Sequence, residues 1–140
     1  PNVDTALSDG LSRGFQFSNF KLIKSHIQNS LKRRGFSIQE LEKLSDQAFI
    51  FFIISLLVSY SRSMILGKTK SENSVKCRRK IIDDILAEAD VSKAIRNYLR
   101  SKDESPWIPR AIAWRSHKLL EFACTRRAKE ILRIRRKGKV

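Results

Sequence analysis

Between Ser45 and Gly67 the chain reads SDQAFIFFIISLLVSYSRSMILG. From Ala48 to Tyr60 only Ser55 and Ser59 interrupt Phe, Ile, Leu and Val. A helix over this stretch is apolar on nearly every side, so it must be enclosed by other elements. Ser45 can cap its start through a hydroxyl that accepts from a free backbone N–H. Gly67 can end it, because glycine enters the left-handed C-cap conformation without a Cβ clash. A buried strand is the alternative, but a run of about 20 residues far exceeds a typical strand of ~5–6. A membrane span is another, since ~20 apolar residues cross a bilayer. Ser55, Ser59, Ser61, Arg62 and Ser63 argue against it, because a cation inside a span is costly. The expected fold is therefore all-α: five to six helices around a buried central helix at about 46–66, with a long basic helix at the C-terminus.

Scarce Gly and Pro, 5 and 3 residues, agree with a helical fold. Charge is the outlying property. Lys and Arg number 29 against 14 Asp and Glu, a formal charge of +15. Such a chain repels itself and attracts polyanions: RNA, DNA or an anionic membrane surface. Cys77 and Cys124 do not make a disulfide framework, so an intracellular, reducing setting is expected. The polar start PNVDTALSDG has no apolar segment of a secretory signal.

Residues 1–17 read as an irregular arm and 18–140 as a single helical domain. Ser18 is placed to cap a helix over about 19–34, with Phe20, Ile23, Ile27 and Leu31 on one face. Its end carries Lys32, Arg33 and Arg34 before Gly35, which compensates the macrodipole or extends a binding surface. Ser37-Ile38-Gln39-Glu40 is a capping box and opens a short helix to about Leu44. GKTKSENS, residues 67–74, reads as a loop. Helices are then expected at about 75–89 and, capped by Asp90, at 91–101, the latter with Tyr98 and Leu99 turned inward. Ser105-Pro106 signals another start, and the final helix is expected over about 110–136.

That final helix has two faces. At 100° per residue, Arg115, Lys118, Phe122, Arg126, Lys129, Arg133 and Arg136 share one sector, and six of the seven are cations. Ala113, Leu120, Cys124, Ala128 and Ile131 lie opposite. At ~1.5 Å per residue the ridge from Arg115 to Arg136 spans roughly 32 Å, about one turn of duplex. Soluble helices usually interleave acids with bases at i,i+4, and this ridge has none. Phe122 within it can stack on a base or pack on a neighbouring helix. A second basic block, Lys76, Arg78, Arg79 and Lys80, stands near a helix N-terminus, where the dipole disfavours cations and a phosphate would relieve them. The same KCRRK string resembles a nuclear import patch, so a nuclear location is compatible.

Enzyme signatures are missing. There is no P-loop, no G-x-G-x-x-G and no G-x-S-x-G. Asp83, Asp84, Glu88 and Asp90 read as a solvated face rather than converging carboxylates. His117 and Cys124 lie seven residues apart, ~10 Å along a helix, too far to share one zinc. Neither a catalytic site nor a cofactor or metal is expected. Residue signatures of zinc fingers, RNA-recognition motifs, KH domains, homeodomains and leucine zippers are absent.

The expected function is non-enzymatic nucleic-acid binding, RNA favoured over DNA, through phosphates and with little sequence selectivity. The residues expected to carry it are Arg115, Lys118, Arg126, Lys129, Arg133 and Arg136, extended by Lys76, Arg78, Arg79 and Lys80 and by Lys32, Arg33 and Arg34. The alternative is a helical protein–protein interaction or homodimerisation module that meets an acidic partner. Membrane-surface association ranks third.

Overall fold

The computed structural model describes residues 17–67 and 71–138. All regular structure in them is helical: α1 Phe17–Arg33, α2 Ile38–Ile65, α3 Ser71–Ala87, α4 Ala89–Ile95, α5 Trp107–Ala113 and α6 His117–Lys137. The expected arm over 1–17 lies outside the described residues apart from Phe17, which begins α1.

The central helix is longer than the sequence suggested. Ser37 accepts from the Glu40 N–H and Glu40 accepts from the Ser37 N–H, completing the capping box. From there α2 runs without interruption for 28 residues. Ser45 does not restart the chain. It lies inside the helix and donates back to the Glu42 carbonyl at 3.0 Å. No Gly or Pro separates the two expected segments, so nothing stops the first from propagating into the second. Gly67 ends the helix at φ +70° and Gly35 closes the α1 end at φ +81°, both in the left-handed region.

Phe49, Ile50, Ile53, Leu57 and Tyr60 on α2 are almost fully buried, and α6, α1 and α4 are its main neighbours. Around them gather Ile82 and Ile85 of α3, Val91 and Ala94 of α4, Ile108 and Ile112 of α5, and Leu120, Cys124 and Ala128 of α6. By length and composition α2 is the one described helix that could cross a membrane, and 56% of its most apolar window is buried by the rest of the protein.

Three expected boundaries shift. First, α3 begins at Ser71, so part of the expected 67–74 loop is helical. Tyr60 donates its hydroxyl to the Ser74 carbonyl and pins the first turn to the core. Second, α4 stops at Ile95, and its N-cap position is Glu88, which makes no side-chain cap bond, rather than Asp90. Gln47 grips the following backbone at both Leu99 groups, donating to its carbonyl at 2.7 Å and accepting from its N–H at 2.8 Å. Those groups are spent on Gln47, and Leu99 is 80% exposed rather than inward. Third, the long final helix is broken between Ala113 and His117. Arg115 sits at φ 52°. Its N–H reaches the Ile112 carbonyl and that of Ser116 reaches Ala111, a Schellman closure with Arg where Gly is usual. Ser116 then caps α6 by accepting from the Leu119 N–H. Ala113 belongs to α5 and is exposed, not on the inward stripe.

Cys124 is fully buried, and burial pushes its thiol up to about 12. The native state therefore holds a proton that the unfolded chain releases above an ordinary thiol pKa of ~8.5. Stability from this group is complete below that value and is lost as pH rises toward 12. The stability gap between wild type and Cys124→Ala is expected to narrow over that interval in denaturant titrations. A gap independent of pH would mean that the thiol is solvated.

Candidate nucleic-acid interface

One buried cation fixes how α6 sits. Arg78 of α3 is only 7% exposed. Its guanidinium donates to Ser61 Oγ of α2 at 3.1 Å, Thr125 Oγ1 at 2.9 Å and Glu121 Oε1 at 3.1 Å, the last two on α6. Ser61 and Thr125 each donate their own proton to the carbonyl four residues back. Their lone pairs are thereby left for the guanidinium. Glu121 is also approached by Arg79 Nε at 3.7 Å and His117 Nε2 at 3.3 Å. His117 turns its other ring nitrogen to Asp83 of α3. Removing one partner of such a buried pair typically costs ~3–5 kcal/mol, so Arg78 is a structural strut.

Arg78 therefore corrects the sequence reading, which put it on a phosphate-binding surface. Helical periodicity alone does not reveal that its Cβ points at α6. Lys76, Arg79 and Lys80 remain exposed. They lie in the second and third turns of α3, beyond the first turn where the macrodipole acts, so the expected dipole penalty does not apply.

On α6 the strut sets the azimuth. Glu121 and Thr125 face α3, while Leu120, Cys124 and Ala128 face the core. Leu119 and Ala123 turn toward Trp107 of α5. What remains outward is the ridge: Lys118, Phe122, Arg126, Lys129, Arg133 and Arg136 are all exposed. None of its five cations forms an ion pair with another described residue. The neighbouring Arg127 behaves differently, donating to the Asp103 carbonyl and pairing with Glu130. Arg115 is separated from the ridge by the break and donates to Ser92 Oγ of α4 at 2.8 Å. The ridge from Lys118 to Arg136 thus runs roughly 27 Å at ~1.5 Å per residue.

The three basic blocks are not equally placed. Of the exposed cations of α3, Arg79 stands beside α6, because it shares Glu121 with Arg78, whereas Lys76 and Lys80 lie on roughly the opposite face of α3 from Arg78. Lys32, Arg33 and Arg34 are exposed at the end of α1, which packs on α2.

Sequence reasoning placed Phe122 on this surface but missed Trp107 beside it. Trp107 is 46% exposed and Phe122 62%, and both line a cleft of about 280 Å³ with Ser105, Leu119, Ala123 and Arg126. Arg110 holds its guanidinium 5.2 Å from the Trp107 ring centroid. The cleft joins two helices across a break the periodicity did not show. The Ser-Pro start before Trp107, together with Pro109, hinted at a separate short element, but not at a stop near Ala113.

Comparison with protein-family models, with curated proteins and with solved structures finds no match to this chain.

Proposed function

We propose that this protein binds nucleic acid, RNA in preference to DNA, by laying the exposed face of α6 along a phosphate backbone. The observation that carries the reading is the run of Lys118, Arg126, Lys129, Arg133 and Arg136, exposed and without ion pairs among the described residues. Each is a cation whose neutralising partner is not supplied by the described residues. Phosphates supply one, and the counterions they release make binding favourable. Arg79 widens the track on the α3 side, and Lys76 and Lys80 extend the positive field over the outer face of α3. Arg78 has no part in it. Because no element presents a recognised base-reading motif, affinity rests mainly on backbone charge and discriminates weakly among sequences.

The test is a salt titration of the full chain against RNA and DNA strands and duplexes. Log affinity is expected to fall linearly with log salt, with a slope of about −0.9 for each duplex phosphate contacted and about −0.7 for each single-strand one. A chain that binds none of these at low salt is not a nucleic-acid-binding protein.

A second reading is a protein-interaction module. It is favoured by a shallow apolar strip on α2, where Phe51 is 54% and Leu44 39% exposed. The remaining large side chains of this stretch do not add to it: Phe49 and Leu56 are buried and Phe52 is half-buried.

A further inference from the structure

The cleft beside the ridge is the second feature with ligand chemistry. Its walls are the aromatic rings of Trp107 and Phe122 and the apolar side chains of Leu119 and Ala123. Ser105 and Arg126 supply the polar lining, and no carboxylate among the described residues lines it. Its volume, about 280 Å³, falls just below the ~300 Å³ where small-molecule sites begin, which suits one flat ring system. Arg126 belongs to both cleft and ridge. Lys118 and Lys129 are each about one helical turn from Phe122 or Arg126 along the same face, and Arg110 stands over Trp107. An occupant must therefore be planar, apolar on its faces and attached to negative charge.

We infer that the Trp107–Phe122 cleft receives an unpaired nucleobase, so that the preferred ligand is single-stranded nucleic acid whose backbone follows the α6 cations. The inference rests on the nucleic-acid reading of the ridge and adds its strand preference. A paired base keeps its faces inside the duplex stack and cannot enter, whereas every base of a single strand has a free face for aromatic stacking. Arg126 at the junction is positioned to hold the phosphate next to the inserted base. Selectivity among bases is weak, because stacking uses the π-face common to all of them.

The experiment compares three probes of about 12 nucleotides, within the range a stacking single-strand groove covers. They are an oligouridylate, an abasic strand of the same length, and an RNA duplex, all titrated with the full chain at one low salt concentration. Wild type is expected to bind the oligouridylate about 5- to 150-fold more tightly than the abasic strand for one stacked base. Phe122→Ala should abolish that ratio while leaving affinity for the abasic strand and its salt slope unchanged. Phe122→Trp should restore the ratio. Phe122 is largely exposed, so neither variant threatens the fold. Equal wild-type affinity for base-bearing and abasic strands overturns the inference and leaves the ridge reading intact. So does a loss in Phe122→Ala that affects both strands alike. Failure to bind even the abasic strand and the duplex overturns both readings. Self-association that Phe122→Ala abolishes would assign the cleft to a second copy of the chain, which also overturns the inference.

Discussion

Ile53→Asp is expected to leave the chain unfolded at room temperature. Ile53 has no exposed surface and stands in the middle of α2, the helix on which α1, α4 and α6 chiefly pack. The substitution removes an apolar side chain whose burial contributes ~1.5–3 kcal/mol. It also places a carboxylate inside the hydrophobic core cluster. An unpaired buried ion costs several kcal/mol after relaxation. Together these approach or exceed the ~5–15 kcal/mol by which a domain is normally stable. Far-UV circular dichroism should show lost helix and no cooperative melting transition. Phe51→Asp is the control: two residues away and 54% exposed, it should keep the fold. If Ile53→Asp melted cooperatively near the wild-type temperature, the core would not lie where α2 puts it.

The second large effect is on binding. Replacing Arg126, Lys129 and Arg133 together with Gln removes three charges while retaining good helix formers. All three side chains are exposed, so stability should change by no more than about 0.5 kcal/mol per site. Relief of like-charge repulsion at i,i+3 and i,i+4 would shift it slightly upward. Affinity should fall for every sequence tested. If all three residues contact duplex phosphates, the slope of log K against log salt flattens by about 2.7, which is 0.9 for each contact. On a single strand the corresponding change is about 2.1, from 0.7 for each contact. A folded triple variant with an unchanged slope would remove the ridge from the binding surface. The proposed role of the Trp107–Phe122 cleft is tested separately, because Phe122 carries no charge and its loss should leave the slope alone.

Much of the fold follows from features that act over one or two turns. The apolar run at 48–58 had to be enclosed, whatever surrounded it. The capping box at Ser37 and the glycines at 35 and 67 act through their own backbone, and the structure uses all three. The inward stripe Leu120, Cys124 and Ala128 and the outward set from Lys118 to Arg136 were legible for the same reason, since periodicity states which residues share a helix face.

Tertiary structure decided what periodicity cannot: which neighbour each face meets and where a helix must stop. Arg78 and Arg79 are adjacent cations with the same local signature. One is a buried strut and the other lies on the surface, because Arg78 bonds Ser61 and Thr125 as well as Glu121, while Arg79 meets Glu121 alone. Leu99 reads as a core residue until Gln47, 52 positions away, takes its backbone groups. Nothing near Arg115 in sequence marks it for a positive φ, yet the break there turns α5 back on α6 and sets Trp107 beside Phe122. The sequence by itself therefore determined an all-helical chain with a cationic outer face. Burial and long-range hydrogen bonds, which depend on partners distant along the chain, decided which cations stay free and where an aromatic cleft joins them.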